Sequence, residues 1–562
     1  MDGNNARHET QLQYHRRRFE ELKQNRRPME PVWRPLAEFI EPSRLRLDDR
    51  REGAISRKSI VDSTGTFALR TLQSGMHSGI TSPARPWFRL TTYDPEMKDF
   101  APIKEYLAAV EQRMREVFQA SNIYNAFHTG YGDLGQFGQS LGILVEDDDA
   151  SIRMMQQMHG RFWVARDEKG RVTTLYREFR WSVQRIVNRF GTKSVSQTIR
   201  SKYDSANYDD VFTICHAIEP RLKRDSKKLD RANKPFLSNY WERDNAEGQL
   251  LEESGFDENP LIGPAWELAG EDDYAVSPGM VALGDIKMLQ KEQTRKMEAI
   301  DKIVRPPMTG PTSMRNNPAS LLPGSVTYVD DQTGKGYRPA MEVNLRIQEL
   351  ASDIKETQER INRAFYADLF LMLSQMEGIQ PRNQFEIAER KEEKLLALGP
   401  VLENIYNGQL EPVIERTYAI LNRRGMLPPP PPDLENQELK IEYVSMLAQA
   451  QKAVATGSIE RGMAFVGQMA SIKPEVLDKV DADEAADVYF DMIGVQPSIL
   501  VPDEEVKKLR DQRAKKQAQA ENAAMAAEVA PAAKAGAEAA SVMADAANNP
   551  AGGDLLARLG LA

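Results

Sequence analysis

Cysteine is almost absent from this chain, since Cys215 is the single one among 562 residues. One cysteine cannot form an internal disulfide, and a chain without disulfides fits a reducing compartment. Long apolar runs are lacking as well, because no stretch approaches the ~18 residues that a membrane-spanning helix needs. The polar, arginine-rich segment after Met1 has no signal-peptide pattern, so we expect no export signal and no membrane partner.

An excess of positive charge is also lacking. The formal net charge is −9 at pH 7, whereas a protein that binds nucleic acid over a broad surface is usually basic because it neutralises phosphates. If DNA is a partner, the contact must be local, or the surface must let the duplex slide. The 41% hydrophobic and 28% charged fractions are ordinary for a soluble protein, and the length allows about two to four domains.

Residues of the common catalytic motifs are sparse or wrongly spaced. All six histidines precede residue 217, and no two stand four apart with a glutamate between them, as the zinc-protease helix requires. Cys215 and His216 are adjacent in a predicted strand, so their side chains point to opposite faces and cannot act as nucleophile and base. Gly334, Lys335 and Gly336 do not form a phosphate-binding loop, because Gly336 stands where that motif needs serine or threonine.

Two clusters of carboxylates are the remaining candidates for metal chemistry. They lie at 146–149 and at 271–273, and either could bind a divalent ion or supply a two-metal site. The first ends a predicted strand, and the second precedes a long helix whose dipole favours negative charge. Solvated or dipole-stabilising carboxylates are the simpler interpretation.

Two long predicted helices around a Pro- and Gly-rich insert are the most informative pattern. Ser277 and Pro278 predict a helix start with a hydroxyl N-cap and proline at the first position. The apolar stripe that follows has three- and four-residue spacing, is interrupted only by Gln293 and stops at prolines 306 and 307. Its members are Ala282, Ile286, Leu289, Met297, Ile300 and Val304, and those of the returning helix are Ile347, Leu350, Ile354, Ile361, Phe365 and Met372. Each helix spans roughly 40 Å, and each apolar seam can be core, docking surface, or both where copies of the chain form a ring.

An α+β region precedes these helices. The patterns predict a helix over 101–120, a hairpin with strands at 162–164 and 172–176, further strands over 211–218 and 236–241, and a helix over 183–190. Glycines at 130, 132, 135 and 138 follow a helical pattern, and we expect them to permit close helix packing rather than nucleotide binding.

The chain after the second long helix changes character several times. A helical stretch is predicted to kink at Gly399-Pro400 and at Pro412. Five prolines at 428–432 predict a stiff, extended connector that leads to a smaller helical domain over about 433–500. A basic segment from Lys507 to Lys516 precedes an alanine-rich tail. This segment could contact DNA, although a basic helix face is more often simply solvated.

Several unusual strings resemble the portal, or head-to-tail connector, proteins of short-tailed bacteriophages. They are DSTGT at 62–66, GMHSGITSPARPWF at 75–88, LAGEDDY at 268–274, SPGM at 277–280, ERKEEK at 389–394 with LGP at 398–400, and YVSMLA at 443–448. The resemblance spans about 12–500 and is weakest beyond residue 500. One departure is Ala275, which follows Tyr274 where the family pattern has a glycine.

The resemblance implies a helix-rich α+β portal fold, assembled as a ring of commonly about twelve copies at one capsid vertex. The segments it implies are a wing over 1–276, the first stem helix over 277–304, a clip over 305–340, the second stem helix over 341–373, a channel loop over 374–384, a long kinked wing helix over 385–427, a crown over 428–500, and a C-terminal tail over 501–562 that could form a short barrel. Stem denotes the paired long helices, and clip denotes the insert between them.

The resemblance also implies roles for particular residues. In the channel loop, the residues implied to face DNA are Gln375, Glu377, Arg382 and Asn383. In the clip, the residues implied to dock partners are Arg305, Lys335, Tyr337 and Arg338. In the stem, the residues implied to form the seam and pack between subunits are Ile286, Leu289, Met297, Ile354, Ile361 and Phe365. No catalytic residue, metal or cofactor is implied.

The implied partners are further copies of the chain, a terminase, tail adaptor and tail proteins, scaffolding and major capsid proteins, and double-stranded DNA contacted without sequence preference. The implied location is the virion, after synthesis in the host cytoplasm. Two alternatives stay open at the level of sequence. One is another virion component, such as a tail adaptor or internal ejection protein. The other is a metal-dependent phosphoryl-transfer enzyme that uses Glu271, Asp272 and Asp273.

Overall fold

The structure is a computed structural model of the whole chain. It describes residues 10–47, 59–94, 97, 100–225, 227–228, 230–245, 249–304, 308–309, 338–339, 347–375, 398–434, 439–444, 462–470, 473, 475, 480, 484–486, 506–520 and 541. The chain divides into two units, Met1–Ala485 and Ala486–Ala562. In the second unit residues 506–520 form an exposed helix that contains the whole basic segment from Lys507 to Lys516.

The first unit opens with two helices, α1 (Gln11–Arg26) and α2 (Glu30–Phe39). Thr10 caps α1 in a capping box with Gln13, which satisfies two backbone N–H groups that have no partner inside the helix. The structure has a main hydrophobic core and a smaller one that lies between α1 and a five-stranded sheet. Phe19 and Leu22 of α1 are buried in the smaller core, whereas Trp33 of α2 is buried in the main core.

Three helices form the centre of that core: α3 (Thr64–Ile80), α4 (Ala101–Ala120) and α5 (Ile123–Phe137). The predicted helix over 101–120 is confirmed. The predicted close packing at the glycines is also confirmed, because a Cβ on Gly135 would lie 2.5 Å from Leu72 of α3. Gly138 ends α5 in the left-handed conformation, which favours glycine.

Two antiparallel sheets build the α+β region. One has the order β3-β2-β9 and the other β4-β5-β6-β7-β8. The strands are β1 (Phe88–Thr92), β2 (Gly142–Asp147), β3 (Ser151–Gln156), β4 (Phe162–Arg166), β5 (Val172–Ser182), β6 (Val211–Pro220), β7 (Phe236–Glu242), β8 (Glu252–Phe256) and β9 (Leu261–Ile262). The predicted hairpin is β4–β5, the predicted strands over 211–218 and 236–241 are β6 and β7, and the helix predicted over 183–190 is α6 (Val183–Phe190), so all are confirmed. Helix α7 (Gln197–Asp204) follows α6.

The long helices follow this region. Helix α8 (Pro278–Val304) begins where Ser277 and Pro278 predicted it. The prediction of one continuous returning helix over 341–373 is wrong, because the structure has α9 (Ile347–Ala364) and α10 (Ala367–Gln375) with a break at Tyr366. Tyr366 has φ of 54°, which no α-helix permits. The apolar spacing does not reveal the break, because Ile361, Phe365 and Leu369 keep helical spacing and are all buried.

The helical stretch beyond Leu398 is interrupted directly before Pro412, one of the two predicted kinks, whereas the kink at Gly399-Pro400 stays a prediction because the described helix begins there. Helix α11 (Gly399–Ile405) starts at Gly399-Pro400, and α12 (Glu411–Arg423) starts just before Pro412. Between them Tyr406–Leu410 form a π-helical turn, in which the Glu411 amide donates to the Tyr406 carbonyl five residues back. Proline has no N–H to donate to the carbonyl four residues before it, so the widened turn replaces the bond that Pro412 cannot make.

The chain after the prolines returns to the core. Leu439–Tyr443 form β12, which pairs antiparallel with β1 from Phe88 to Thr92. The prediction that a separate helical domain starts at about 433 is therefore wrong for these residues. Leu439, Ile441 and Tyr443 alternate with Lys440 and Glu442, which is the pattern of a half-buried strand, so the local signal for β12 was present and the prediction missed it. Tyr443 stacks on Tyr406 of the π-helical turn at 4.1 Å between ring centroids.

Candidate functional site: the paired long helices

The start of α8 is anchored inside the core. Ser277 is 1% exposed, its Oγ accepts a hydrogen bond from the Met280 amide at 2.9 Å, and its hydroxyl donates to the Gln136 carbonyl at 2.9 Å. The N-cap therefore satisfies the helix and at the same time connects it to the last turn of α5. This geometry fixes the direction in which the long helix leaves the core.

The six predicted seam residues have two different environments. Ile286, Leu289, Ile354, Ile361 and Phe365 are at most 4% exposed, where α8 and α9 pack on each other and on α3. Met297 is 53% exposed. Five of the six thus already belong to the core of a single chain, and their role in packing between subunits stays a prediction.

A polar cluster explains the gap in the apolar stripe at Gln293. The Asp62 carboxylate accepts hydrogen bonds from the Gln293 side chain on α8 at 2.8 Å and from Gln358 on α9 at 3.0 Å. It also accepts from the Thr64 amide at 2.8 Å and from the Thr64 hydroxyl. Gln290 adds three bonds to the backbone of residues 61 and 62. We call Asp62, Thr64, Gln290, Gln293 and Gln358 the Asp62 cluster.

The Asp62 cluster fixes the relative position of three helices. Burial by itself would raise the pKa of Asp62, but the hydrogen bonds from Thr64, Gln293 and Gln358 outweigh it and hold the pKa below its ordinary value. Hydrogen bonds to a charged carboxylate are strong. A shift of α8 or α9 along its axis would remove one of these donors from Asp62 and is therefore disfavoured. The DSTGT string therefore has a structural reason in this molecule.

The outer and distal parts of α8 carry unusual apolar exposure. Six large hydrophobic side chains of this one helix are exposed: Val281, Met288, Met297, Ile300, Ile303 and Val304. Ile286 and Leu289 on another face are fully buried. A helix that is apolar on more than one side is usually buried on more than one side. Within the described residues the chain covers only one of them.

The insert and the channel loop are described only at their ends. Met308–Thr309 form β10 and Arg338–Pro339 form β11, which pair antiparallel and join the two ends of the insert. Of the predicted docking residues Arg338 lies in β11, whereas Arg305, Lys335 and Tyr337 lie outside the described residues. Gln375 is the last residue of α10, so the loop does not begin at 374 as predicted. Glu377, Arg382 and Asn383 lie outside the described residues.

The two carboxylate clusters make protein contacts. Glu146 pairs with Arg423 at 2.9 Å and Asp147 with Arg153 at 3.2 Å. Asp273 accepts a hydrogen bond from the Arg166 amide at 2.9 Å. In the part of the chain that the structure describes, no three His, Cys, Asp or Glu side chains are arranged to hold a metal ion.

Cys215 and His216 have the strand environment that their adjacency predicts. Cys215 is buried on the α1 side of the large sheet, where burial raises the pKa of its thiol. His216 stacks on Tyr240 with ring centroids 3.8 Å apart, and burial keeps the pKa of its imidazole well below the ordinary value. A thiol that resists ionisation is a poor nucleophile.

A buried hydrogen-bond chain under α1 was not predicted. Asn239 donates to His15 Nε2 at 2.9 Å, His15 Nδ1 bonds the Tyr176 hydroxyl at 2.9 Å, and Tyr176 donates to Glu219 at 3.1 Å. Burial lowers the pKa of His15 to about 4 and raises that of Glu219 to about 6. Tyr176, Glu219 and Asn239 meet here because their strands are neighbours in one sheet, and His15 reaches them because α1 packs on that sheet. No local pattern reveals these contacts.

Arg416 of α12 is a second contact that sequence reasoning missed. It is 3% exposed and donates to the Leu144 carbonyl at 2.8 Å and to Glu258 at 3.0 Å. Burial lowers the pKa of its guanidinium to about 10. Arg416 thus fixes α12 to the end of the β2–β9 sheet.

Comparison with known proteins now gives the family. Residues 12–500 match the family described as bacteriophage head to tail connecting protein. The chain is 44% identical over 526 residues to the portal protein of Salmonella phage epsilon15, covering 92% of this chain and 93% of that one. It is also 44% identical over 512 residues to the probable portal protein of Bordetella phage BPP-1, covering 90% and 92%. The chain belongs to the bacteriophage head-to-tail connecting protein family.

Two solved structures that match the chain weakly come from gene transfer agent particles. One is described as the neck of an empty particle computed with C6 symmetry, with TM-score 0.33, 11% identity and coverage of 72% of this chain and 86% of that one. Another is the virion of a native particle, with TM-score 0.31, 12% identity and coverage of 76% and 89%.

Among the described residues no helix has the length and apolar character to span a membrane.

Proposed function

We propose that this chain is the subunit of a portal ring. The ring occupies one capsid vertex, provides the channel for DNA packaging and ejection, and docks a terminase motor and later a tail adaptor. It assembles with scaffolding and major capsid proteins, is made in the host cytoplasm and ends in the virion. The identity of 44% to two proteins named as portal or probable portal protein supports this assignment.

The proposed parts follow the segments implied by the sequence, with boundaries adjusted to the fold. The wing covers 1–276 together with 399–423, because Arg416 joins α12 to the small sheet. The stem consists of α8 and α9, the clip of 305–340, and the channel loop of the residues after Gln375. The crown starts after Val444, because β12 pairs with β1 inside the wing.

The observation that carries the proposal is the apolar exposure of α8. Its six exposed large side chains need a second surface, and an adjacent copy of the same chain supplies one in a closed ring. Burial of each large apolar side chain contributes about 1.5–3 kcal/mol. Repetition of this contact around a ring stabilises the assembly without any change to the fold of one subunit.

Particle size gives the first test. A ring of about twelve 63.4 kDa chains has a mass of about 0.76 MDa. Mass photometry of the purified chain should show a particle of that size, and negative-stain images down the axis should show a central hole. Monomers and dimers at every concentration and with scaffold protein added would contradict the proposal.

A double variant separates assembly from folding. Met297→Glu with Ile300→Glu should abolish rings, because it places charge where the neighbouring copy packs. The isolated chain should keep its circular dichroism spectrum, since Met297 and Ile300 are 53% and 41% exposed. The matched control is Val211→Glu, which changes a 45% exposed residue at the start of β6. Rings of normal yield from the double variant would refute the proposed interface.

The clip can be tested through the short ladder at its base. Removing 310–337 and joining the chain with a short glycine turn keeps the β10–β11 pair that brings Thr309 and Arg338 together. The variant should form rings but fail to bind terminase in a pull-down. Normal terminase binding would remove the docking role of this segment, including that of Lys335 and Tyr337.

The proposed ring performs no bond chemistry of its own, because the motor supplies the energy for packaging. Gln375, Glu377, Arg382 and Asn383 contact the duplex weakly and without sequence preference. A net acidic channel lets DNA pass, because it lacks the counterion-release affinity that holds basic proteins on DNA.

A further inference from the structure

The connection between β6 and β7 is a strongly basic surface element of this acidic chain. Residues 221–235 contain seven Lys and Arg against two Asp, a local net charge of +5, whereas the whole chain carries −9. We call residues 221–235 the basic loop. The structure describes all of it except residues 226 and 229. Leu222 at its start is 91% exposed.

The two aspartates of the basic loop are used to fold it. Asp225 accepts from the Lys227 amide at 3.1 Å, and its own amide donates to Asn233 at 3.0 Å. Asp230 accepts from the Asn233 side chain at 2.6 Å. These contacts fix the backbone of the loop, so its shape is built from its acidic residues.

The basic residues divide into two groups. Those at the base are paired with the sheet, Arg221 with Glu253 at 2.9 Å and Lys234 with Asp257 at 2.7 Å. Lys228 lies near Asp225 at 3.9 Å. The other four, Lys223, Arg224, Lys227 and Arg231, are exposed, and within the described residues their side chains make no ion pair.

We propose that the basic loop is a contact site for the phosphate backbone of double-stranded DNA. The inference rests on the proposed function, which brings DNA to this particle, and it adds a site distinct from the proposed channel loop. An acidic chain that contacts DNA must do so locally, and the basic loop concentrates four unpaired cations within nine residues. Phosphate contacts use exposed Lys and Arg and need no pocket or sequence readout. Lysine is depleted at protein–protein interfaces although arginine is enriched there, so Lys223 and Lys227 are the residues that favour DNA over an acidic protein.

The salt dependence of binding gives the expected magnitude. Four phosphate contacts predict a slope of about −3.6 for log K against log salt, so affinity should fall about 150-fold between 50 and 200 mM salt. Each single replacement of Lys223, Arg224, Lys227 or Arg231 by Gln should lower the slope by about one. Replacement of all four should remove this salt-dependent binding.

The experiment measures fluorescence anisotropy of a labelled 16-base-pair duplex with the full-length protein. The quadruple Gln variant of the basic loop is compared with a control in which Lys507, Lys508, Arg513 and Lys515 are changed to Gln. The control removes the same charge from another exposed basic segment. Loss of binding in the loop variant alone supports the proposal. Equal binding by the loop variant and the native chain overturns it, as does an equal loss in the control.

Two further readouts complete the test. Labelled poly-glutamate is the probe for an acidic protein partner, and loop-dependent binding of poly-glutamate without duplex binding overturns the DNA assignment. Mass photometry of the same samples reports ring formation. Rings without loop-dependent DNA binding refute this inference and leave the portal proposal intact. Loop-dependent DNA binding by a chain that never forms rings supports the inference and counts against the portal ring.

Discussion

Asp62→Asn tests whether the Asp62 cluster holds the long helices in register. The change keeps size and shape but replaces the oxygen that accepts from Gln293 and Gln358 with an NH₂ group. The NH₂ groups of the introduced asparagine, Gln293 and Gln358 then face one another, and two hydrogen bonds to a charged acceptor are lost. Thr64 keeps its acceptor, because it bonds the other carboxylate oxygen.

The magnitude follows from those two bonds. A hydrogen bond to a charged group contributes about 1.5–3 kcal/mol, so two contribute about 3–6 kcal/mol. Asp62 is only half-buried, and water can replace part of what is lost. We therefore expect the free energy of local opening of α8 and α9 to fall by about 2–4 kcal/mol.

Hydrogen exchange measured by mass spectrometry reports that local free energy. Amides over 286–296 and 354–361 should exchange at least about 30-fold faster in Asp62→Asn, since 1.36 kcal/mol corresponds to a factor of ten. The matched control is Asp353→Asn, an exposed acid on α9, which should leave exchange within about threefold. Unchanged exchange in Asp62→Asn would refute the positioning role of the cluster.

The pH dependence has a definite sign. The pKa of Asp62 is depressed in the folded chain below its ordinary value of 3.8, so its contribution is present above that value and is lost as the pH falls through the lower folded pKa. The difference in opening free energy between the native chain and Asp62→Asn should stay constant from pH 7 to about 4 and shrink below it. A difference that grows on acidification would contradict the assignment.

Three more predictions concern other parts of the fold. Gly138→Ala should destabilise the chain by about 1–3 kcal/mol because φ is 84° and a methyl there would lie 2.5 Å from a carbonyl oxygen. Gly284→Ala, in open space on α8, should stabilise the chain by about 0.5–1 kcal/mol, and equal thermal midpoints for the two variants would contradict this reasoning. Ile361→Asp should abolish rings because a buried unpaired charge costs several kcal/mol and disrupts the packing of α9. Ile361→Val should cost about 0.5–1.5 kcal/mol and leave rings visible by microscopy, and normal rings from Ile361→Asp would contradict the packing of α9 on α8 and α3. Burial lowers the pKa of His15 from 6.5 to about 4 in the folded chain, so as the pH falls His15 is protonated in the unfolded chain before it is protonated in the folded chain. The contribution of His15 to the stability of α1 should therefore fall as the pH drops from about 6.5 to 4. The rate of limited proteolysis of α1, measured against pH, should rise more steeply on acidification in the native chain than in His15→Gln, the control in which Glu219 still titrates. Identical pH dependence in the two chains would refute the role of His15.

Local patterns predicted the elements whose signals are local. Ser277-Pro278 marked the start of α8 to the residue, and the alternation in β4 to β7 marked strands that the structure confirms. The helical pattern failed at Tyr366, whereas the alternation of β12 was present in the sequence but the prediction did not use it. Helical spacing continues through the break at Tyr366, and only the backbone angle there reveals it.

The candidate site shows the same division. The apolar stripe predicted Ile286 and Ile361 as seam residues, but it could not distinguish burial within one chain from burial between copies. Gln293 was visible only as an interruption, because its partner Asp62 lies 231 residues away in sequence. The basic loop is a run of Lys and Arg in the sequence, and only the structure showed that its two aspartates bond within the loop, Asp225 to the Lys227 amide and Asp230 to the Asn233 side chain.

The sequence by itself determined the helix-rich α+β class, the paired long helices, the acidic balance and the family resemblance. These depend on composition, on periodicity and on strings of adjacent residues, all of which are local. Only the tertiary structure decided that Asp62 joins three helices, that β12 returns to β1, and that α8 leaves six apolar side chains uncovered. Each of these depends on which distant segments meet, and the free energy that selects those contacts comes from burial and hydrogen bonding across the whole chain.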